Sequence, residues 1–145
     1  MIPKVFLDTN VILDLIQERP GFEEAAMILQ AGEDGKVRLC CSYLTMANIA
    51  FILRKTAPKS RLVPTLMQLN ALIDVLPMDR KQMSDAFFLN GPDFEDILQA
   101  VCASRGHCDC IVTRNSRDYS ISSPMADKSL PIPRVLTPEC LLKEL

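Results

Sequence analysis

A three-layer α/β/α fold around a central, mainly parallel sheet is what this sequence predicts, and three observations lead there. Short apolar runs alternate along the chain with longer stretches of helical period. The runs are apolar at consecutive positions, as in Val5-Phe6-Leu7 and Ile111-Val112, which is the pattern of strands buried on both faces. The length, 145 residues, suits one domain spanning 1–145.

The elements follow in order. Lys4–Leu7 is a buried strand between Pro3 and Asp8. Asn10–Gln17 carries Val11, Ile12 and Leu15 at helical spacing and stops before Pro20. Phe22–Ala31 is a second helix, with Glu23 and Glu24 in its first turn and Gly32 beyond its end. Val37–Cys41 is a strand, and Ser42 or Thr45 caps a helix that runs to about Lys55. Ser60–Ile73 is helical on a Leu62/Leu66/Leu69/Ile73 stripe, with Pro64 in its first turn. Asp74–Met78 is strand-like, and Asp79 caps a short helix through Phe88. Asn90-Gly91-Pro92 breaks the chain before the helix Asp93–Arg105, which Gly106 ends. Cys110–Thr113 is a strand, Ser120–Pro133 a surface loop and Arg134–Leu136 a last strand; Thr137 and Pro138 open a final helix.

Composition excludes several classes. Apolar residues make up 48% and charged residues 23%, the balance of a globular protein. The longest apolar runs, such as Ile49–Leu53, are far too short to span a bilayer, so no membrane role is expected. The amino terminus turns polar at Asp8 without a secretory core, which predicts a cytoplasmic protein with its six cysteines reduced. His107-Cys108-Asp109-Cys110 has the residue types of a zinc site but not its separated pairs, and reads as a loop entering a strand. A net charge of −2 argues against binding nucleic acid through bulk positive charge. An acidic pocket rimmed by a few cations remains open.

In parallel sheets, sites form beyond the carboxyl ends of the strands. Asp8-Thr9-Asn10 follows the first strand, with Asp14 farther along the helix. Arg114-Asn115-Ser116-Arg117-Asp118 follows the strand at Cys110–Thr113. The helix between them opens with Asp93-Phe94-Glu95-Asp96. Three segments thus bring carboxylates to one edge. Such a cluster repels itself and is stable only with cations. Hard oxygen donors suit Mg²⁺ or Mn²⁺, and those ions support phosphodiester hydrolysis by activating water and neutralising the leaving oxygen.

Plainer roles compete. Asp8 fits a helix cap and Asp118 a turn, while Asp14, Glu95 and Asp93 fit first-turn or solvated acids. Asn115 and Thr113 fit turn and strand-end positions, or hold waters and phosphate oxygens. Asp96, amid Ile97, Leu98 and Ala100, is costly without a partner and so favours function. Arg54, Lys55, Lys59 and Arg61 form a basic segment, and Arg114 and Arg117 flank the acids, as phosphate contacts or as solvated ends.

Four stretches resemble PIN domains: Phe6 to Asp14 (FLDTNVILD), Asp93 to Ala103 (DFEDILQAVCA), Ile111 to Tyr119 (IVTRNSRDY) and Val135 to Glu139 (VLTPE). The resemblance runs through nearly the whole chain in the right order. It implies a Mg²⁺- or Mn²⁺-dependent ribonuclease, often a VapC-like toxin with a small antitoxin partner and commonly a homodimer. Carried over, Asp8 and Asp96 match the core metal-binding acids, and Asp118 with Asn115 and Thr113 matches the fourth corner. Asn10 and Asp93 support them, and Arg114, Arg117, Arg54 and Lys55 would meet RNA. One corner departs: Asn48 stands where the family usually has Glu, and an amide supplies neither charge nor a general base. The alternative is therefore a weak or inactive PIN-fold protein that binds RNA or a protein partner. A haloacid-dehalogenase-type phosphotransferase ranks lower because Asn10 stands where that class needs its second Asp. A dinucleotide module ranks lowest for want of a glycine-rich turn.

Overall fold

The computed structural model describes residues 1–121 and 130–145. Its sheet has five parallel strands, β1 (Lys4–Leu7), β2 (Arg38–Ser42), β3 (Asp74–Leu76), β4 (Cys110–Val112) and β5 (Arg134–Leu136), in the order β3-β2-β1-β4-β5. Around it lie α1 (Thr9–Ile16), α2 (Phe22–Glu33), α3 (Tyr43–Thr56), α4 (Lys59–Leu72), α5 (Arg80–Ala86), α6 (Phe94–Arg105) and α7 (Pro138–Glu144).

The period-2 alternation of the strands assigns the layers. Val5 and Leu7, Leu39 and Cys41, and Cys110 and Val112 face one way, into a core shared with Ile12, Ile28, Ile49, Leu69 and Leu141 of α1, α2, α3, α4 and α7. Phe6, Cys40 and Ile111 face the other way, onto Ala100, Cys102 and Ala103 of α6. Both faces are covered, which is why these strands read as unbroken apolar runs.

β1 is central. The chain first builds outward through β2 and β3, then returns to the other side of β1 for β4 and β5. This change of direction opens a crevice at the carboxyl ends of β1 and β4.

The capping signals act as expected. Ser42 accepts from the Thr45 amide at 3.0 Å, Asp79 from Gln82 at 2.9 Å and Thr137 from Cys140 at 3.2 Å. Strand and helix ends shift by a residue or two from the sequence reading: β2 starts at Arg38, β3 stops at Leu76, and α1 begins at Thr9. A 3-10 turn over Ser116–Tyr119, not foreseen, follows β4. Most of the loop expected at Ser120–Pro133 lies outside the described residues.

One expectation needs correcting. Read as sequence, the Leu62/Leu66/Leu69/Ile73 stripe offers apolar surface that a partner copy would cover. Leu69 and Ile73 are buried in the chain's own core, with Leu62 and Leu66 packed against it. The stripe is spent internally and lends no support to a dimer.

Candidate functional site

Asp8 follows β1, at the start of α1, and is buried. Its backbone is extended, as at a helix cap, but its carboxylate makes no capping bond to α1. Instead Oδ2 accepts from the Thr113 hydroxyl at 3.0 Å and Oδ1 from the Tyr119 hydroxyl at 3.1 Å. The plain capping role therefore fails for Asp8. Burial raises its carboxyl above the ordinary range, the two hydroxyl bonds oppose that rise, and the nearby charge of Asp118 adds to it. Tyr119 is itself pushed up by burial and by Asp8, so it stays protonated and serves as a donor. Sequence reasoning did not assign Tyr119 a role, although it closes the IVTRNSRDY stretch.

Asp96 lies in the first turn of α6, half-buried, with its carboxyl pushed up to about 7. Burial is the main cause, followed by the charges of Asp8, Asp93, Asp118 and Glu95. Five acids from three segments therefore share one field, with Asp118 acting on both Asp8 and Asp96. Asp93 caps α6: its Oδ1 accepts from the Glu95 amide at 2.7 Å and the Asp96 amide at 3.3 Å.

A buried polar network beneath these acids was missed from sequence. Gln99 of α6 accepts from Ser42 Oγ at 2.5 Å and donates to Thr45 Oγ1 at 2.7 Å and Thr9 Oγ1 at 3.4 Å. Thr9 and Thr45 share a further hydroxyl bond at 2.9 Å. These residues sit beside the site on α1, α3 and α6: Thr9 is next to Asp8, Thr45 lies one turn from Asn48, and Gln99 one turn from Asp96. A fully satisfied buried network fixes a geometry. Here it fixes the relative placement of α1, α3 and α6.

The other predicted residues fall as follows. Asn48 is half-buried and donates through Nδ2 to Glu95 Oε1 at 2.6 Å. Thr113 is buried and also accepts from the Asn115 amide at 3.2 Å. Asn10, Asn115 and Arg117 are exposed. Arg114 differs from the expectation, because its Nε pairs at 2.7 Å with Asp14, whose side chain is 2% exposed. Asp14 is thus a buried ion-pair partner, not a solvated acid, and part of Arg114's charge is already matched. Arg54 and Lys55 lie over the exposed ring of Phe51, at 5.2 and 4.2 Å from its centre. They stand roughly 9 Å along the α3 axis beyond Asn48. Asp109, in the segment with zinc-type residues, accepts from the Lys4 amide at 2.7 Å and aligns β4 with β1.

A family model described as the PIN domain matches residues 4–117. This chain belongs to the PIN-domain family. A curated relative, Ribonuclease VapC1 of Aquifex aeolicus (strain VF5), is 28% identical over 126 residues, 81% of this PIN-domain chain and 85% of the relative. Among solved structures, VapBC2 from Rickettsia felis bound to a promoter DNA fragment superposes with a TM-score of 0.63 at 15% identity, over 92% of this chain and 98% of that one. DNA-bound VapBC from Salmonella typhimurium gives 0.63 at 20% identity, over 94% and 99%. A toxin–antitoxin complex from Klebsiella pneumoniae gives 0.63 at 19% identity, over 92% and 97%. At these identities the solved structures show the PIN fold.

Among the described residues, no three Asp, Glu, His or Cys side chains are drawn together as a ready-made metal cage. The donor set still fits a divalent cation of the Mg²⁺ or Mn²⁺ type: hard carboxylate oxygens, and one carboxyl raised to about 7 by burial and then by its acidic neighbours.

Proposed function

We propose that residues 1–145 act as a single PIN domain that hydrolyses RNA phosphodiester bonds with Mg²⁺ or Mn²⁺. The observation that carries this reading is the Asp96 carboxyl, pushed to about 7 first by burial and then by the charges of Asp8, Asp93, Asp118 and Glu95. A half-buried acid with four others in its field is suited to a cation. When bound, the cation supplies Lewis acidity for phosphodiester hydrolysis. Asp8, Asp96 and Asp118 would hold it.

The chain's own residues do the rest. Thr113 and Tyr119 fix both oxygens of Asp8, so its free lone pairs keep one direction. Asp93 sets the first turn of α6, and Asn10, Asn48 and Asn115 offer amides at the rim. Arg117, the guanidinium nitrogens of Arg114 beyond Nε, and Arg54 with Lys55 supply phosphate contacts along the strand. Likeness to a ribonuclease and to toxin–antitoxin complexes supports a toxin role with a small antitoxin partner. A homodimer in the cytoplasm completes the proposal; no helix among the described residues is long and apolar enough to cross a membrane.

Single-stranded RNA should be cut with Mn²⁺ or Mg²⁺ and spared with EDTA. Asp8→Asn and Asp96→Asn should each remove most of the activity while leaving the fold intact by circular dichroism. Equal cutting by both variants and the parent would show the site to be misplaced. The second reading, a weak or inactive PIN-fold binder of RNA or protein, is favoured by the amide of Asn48 at a corner of the site. It predicts RNA retention without metal-dependent cleavage.

A further inference from the structure

Asn48 and Glu95 lie 47 positions apart on different helices, yet their side chains meet at 2.6 Å, with the amide donating to the carboxylate. A neutral donor facing an ionised acceptor makes one of the stronger hydrogen bonds. The contact is not isolated. Glu95 and Gln99 are spaced i, i+4 on α6, and Thr45 and Asn48 are i, i+3 on α3, so each pair shares a helix face. Gln99 meets Thr45 at 2.7 Å inside the protein, and Glu95 meets Asn48 one turn farther out. The two bonds join α3 to α6 like successive teeth, the inner one buried and the outer one at the mouth of the site.

The outer contact changes what residue 48 does. A carboxylate there would repel Glu95, whereas the amide attracts it. Glu95 is exposed to water, its charge acts on the Asp96 carboxyl, and its amide is fixed by Asp93 at 2.7 Å. α3 therefore brings the donor and α6 brings the charge.

We propose that Glu95, held by Asn48, supplies the negative charge that residue 48 lacks and is a fourth acid of the metal pocket, with Asn48 as its positioning residue. This rests on the reading of the site as a divalent-metal centre. It reverses the sequence-based view of Glu95 as a merely solvated acid, and it makes Asn48 a part of the site instead of a defect in it.

Calorimetric titration of the full chain with Mn²⁺ tests the assignment. Glu95→Gln keeps an oxygen for Asn48 to bond and removes only the charge; its Mn²⁺ affinity should fall roughly 10-fold. Asn48→Ala should weaken affinity several-fold in the parent and not at all in the Glu95→Gln background, because a positioning residue has no effect once the charge it positions is gone. A metal-binding parent with an unchanged Glu95→Gln variant overturns this inference alone and leaves the nuclease reading standing. Equal losses from Asn48→Ala in both backgrounds overturn the positioning role. A parent that takes up no Mn²⁺ overturns both readings. Circular dichroism of each variant checks that a loss of affinity is not a loss of fold.

Discussion

Replacing Gln99 with Met keeps an unbranched side chain of similar length and removes every polar atom from the centre of the buried network. Two short hydrogen bonds vanish, from Ser42 at 2.5 Å and to Thr45 at 2.7 Å, along with the longer one to Thr9 at 3.4 Å. Each good buried bond contributes about 1 kcal/mol net. Ser42 is then left with only Thr45 Oγ1 at 3.4 Å as a side-chain acceptor. A buried hydroxyl in that position costs about 1 to 2 kcal/mol more, partly offset by the apolar thioether. The sum is a loss of about 3 kcal/mol, or a fall in Tm of about 10 °C for a chain of this size. Urea denaturation followed by circular dichroism measures it as a lower midpoint with an unchanged slope. Thr45→Val added to Gln99→Met should cost less than the two changes separately, because both remove the same bond. A loss below about 1 kcal/mol would refute the reasoning, as it would mean that the network closes without its central residue.

Three further outcomes are expected. The Asp96 carboxyl is raised from an ordinary 3.8 to about 7, so between those values the folded, metal-free chain holds a proton that the unfolded chain has lost. Metal-free stability should therefore be greatest on the acid side of that window and fall as pH rises through about 7. Because the group is partly exposed, the fall is about 1 to 2 kcal/mol after solvent screening, read as Tm in EDTA at pH 5.5 and 7.5; a flat profile would count against the acid field. Arg114→Ala strands the buried Asp14 carboxylate and should cost about 3 kcal/mol, with part regained by adding Asp14→Asn; no recovery would show that Arg114 acts through packing. Light scattering at micromolar concentration should give the mass of two chains, and a monomer would remove the dimer.

Much of the fold was legible because its signals are local. Strand alternation, cap residues such as Asp79 and Thr137, and the breaks at Gly106 and Asn90-Gly91-Pro92 each act within a few positions. Asp8 and Asp118 were legible because they follow strands, Asp96 because it stands amid apolar residues, and all three because the chain resembles a family. What stayed hidden is relational. Nothing near Asp14 announces Arg114, a hundred positions away. The stripe on α4 showed that a face is covered but not by what. Gln99 did leave a trace, a lone amide between Ile97-Leu98 and Ala100-Val101, which marks a buried polar residue in need of partners. The meeting of Asn48 with Glu95 left none, since each reads as an ordinary polar residue of its own helix.

The strand order also governs when the site can exist during synthesis. Asp8 leaves the ribosome well before the hydroxyls that fix its carboxylate, which follow 105 and 111 positions later. Until then β1 has β2 on one side and a bare edge on the other, because β4 has not been made. Asp96 and Asp118 belong to the same late stretch. A growing chain therefore carries the acids one after another, without the framework that turns them toward a common point. The framework of the site is therefore complete only once synthesis has passed Tyr119, so the fold couples the geometry of Asp8 to the last third of the described chain.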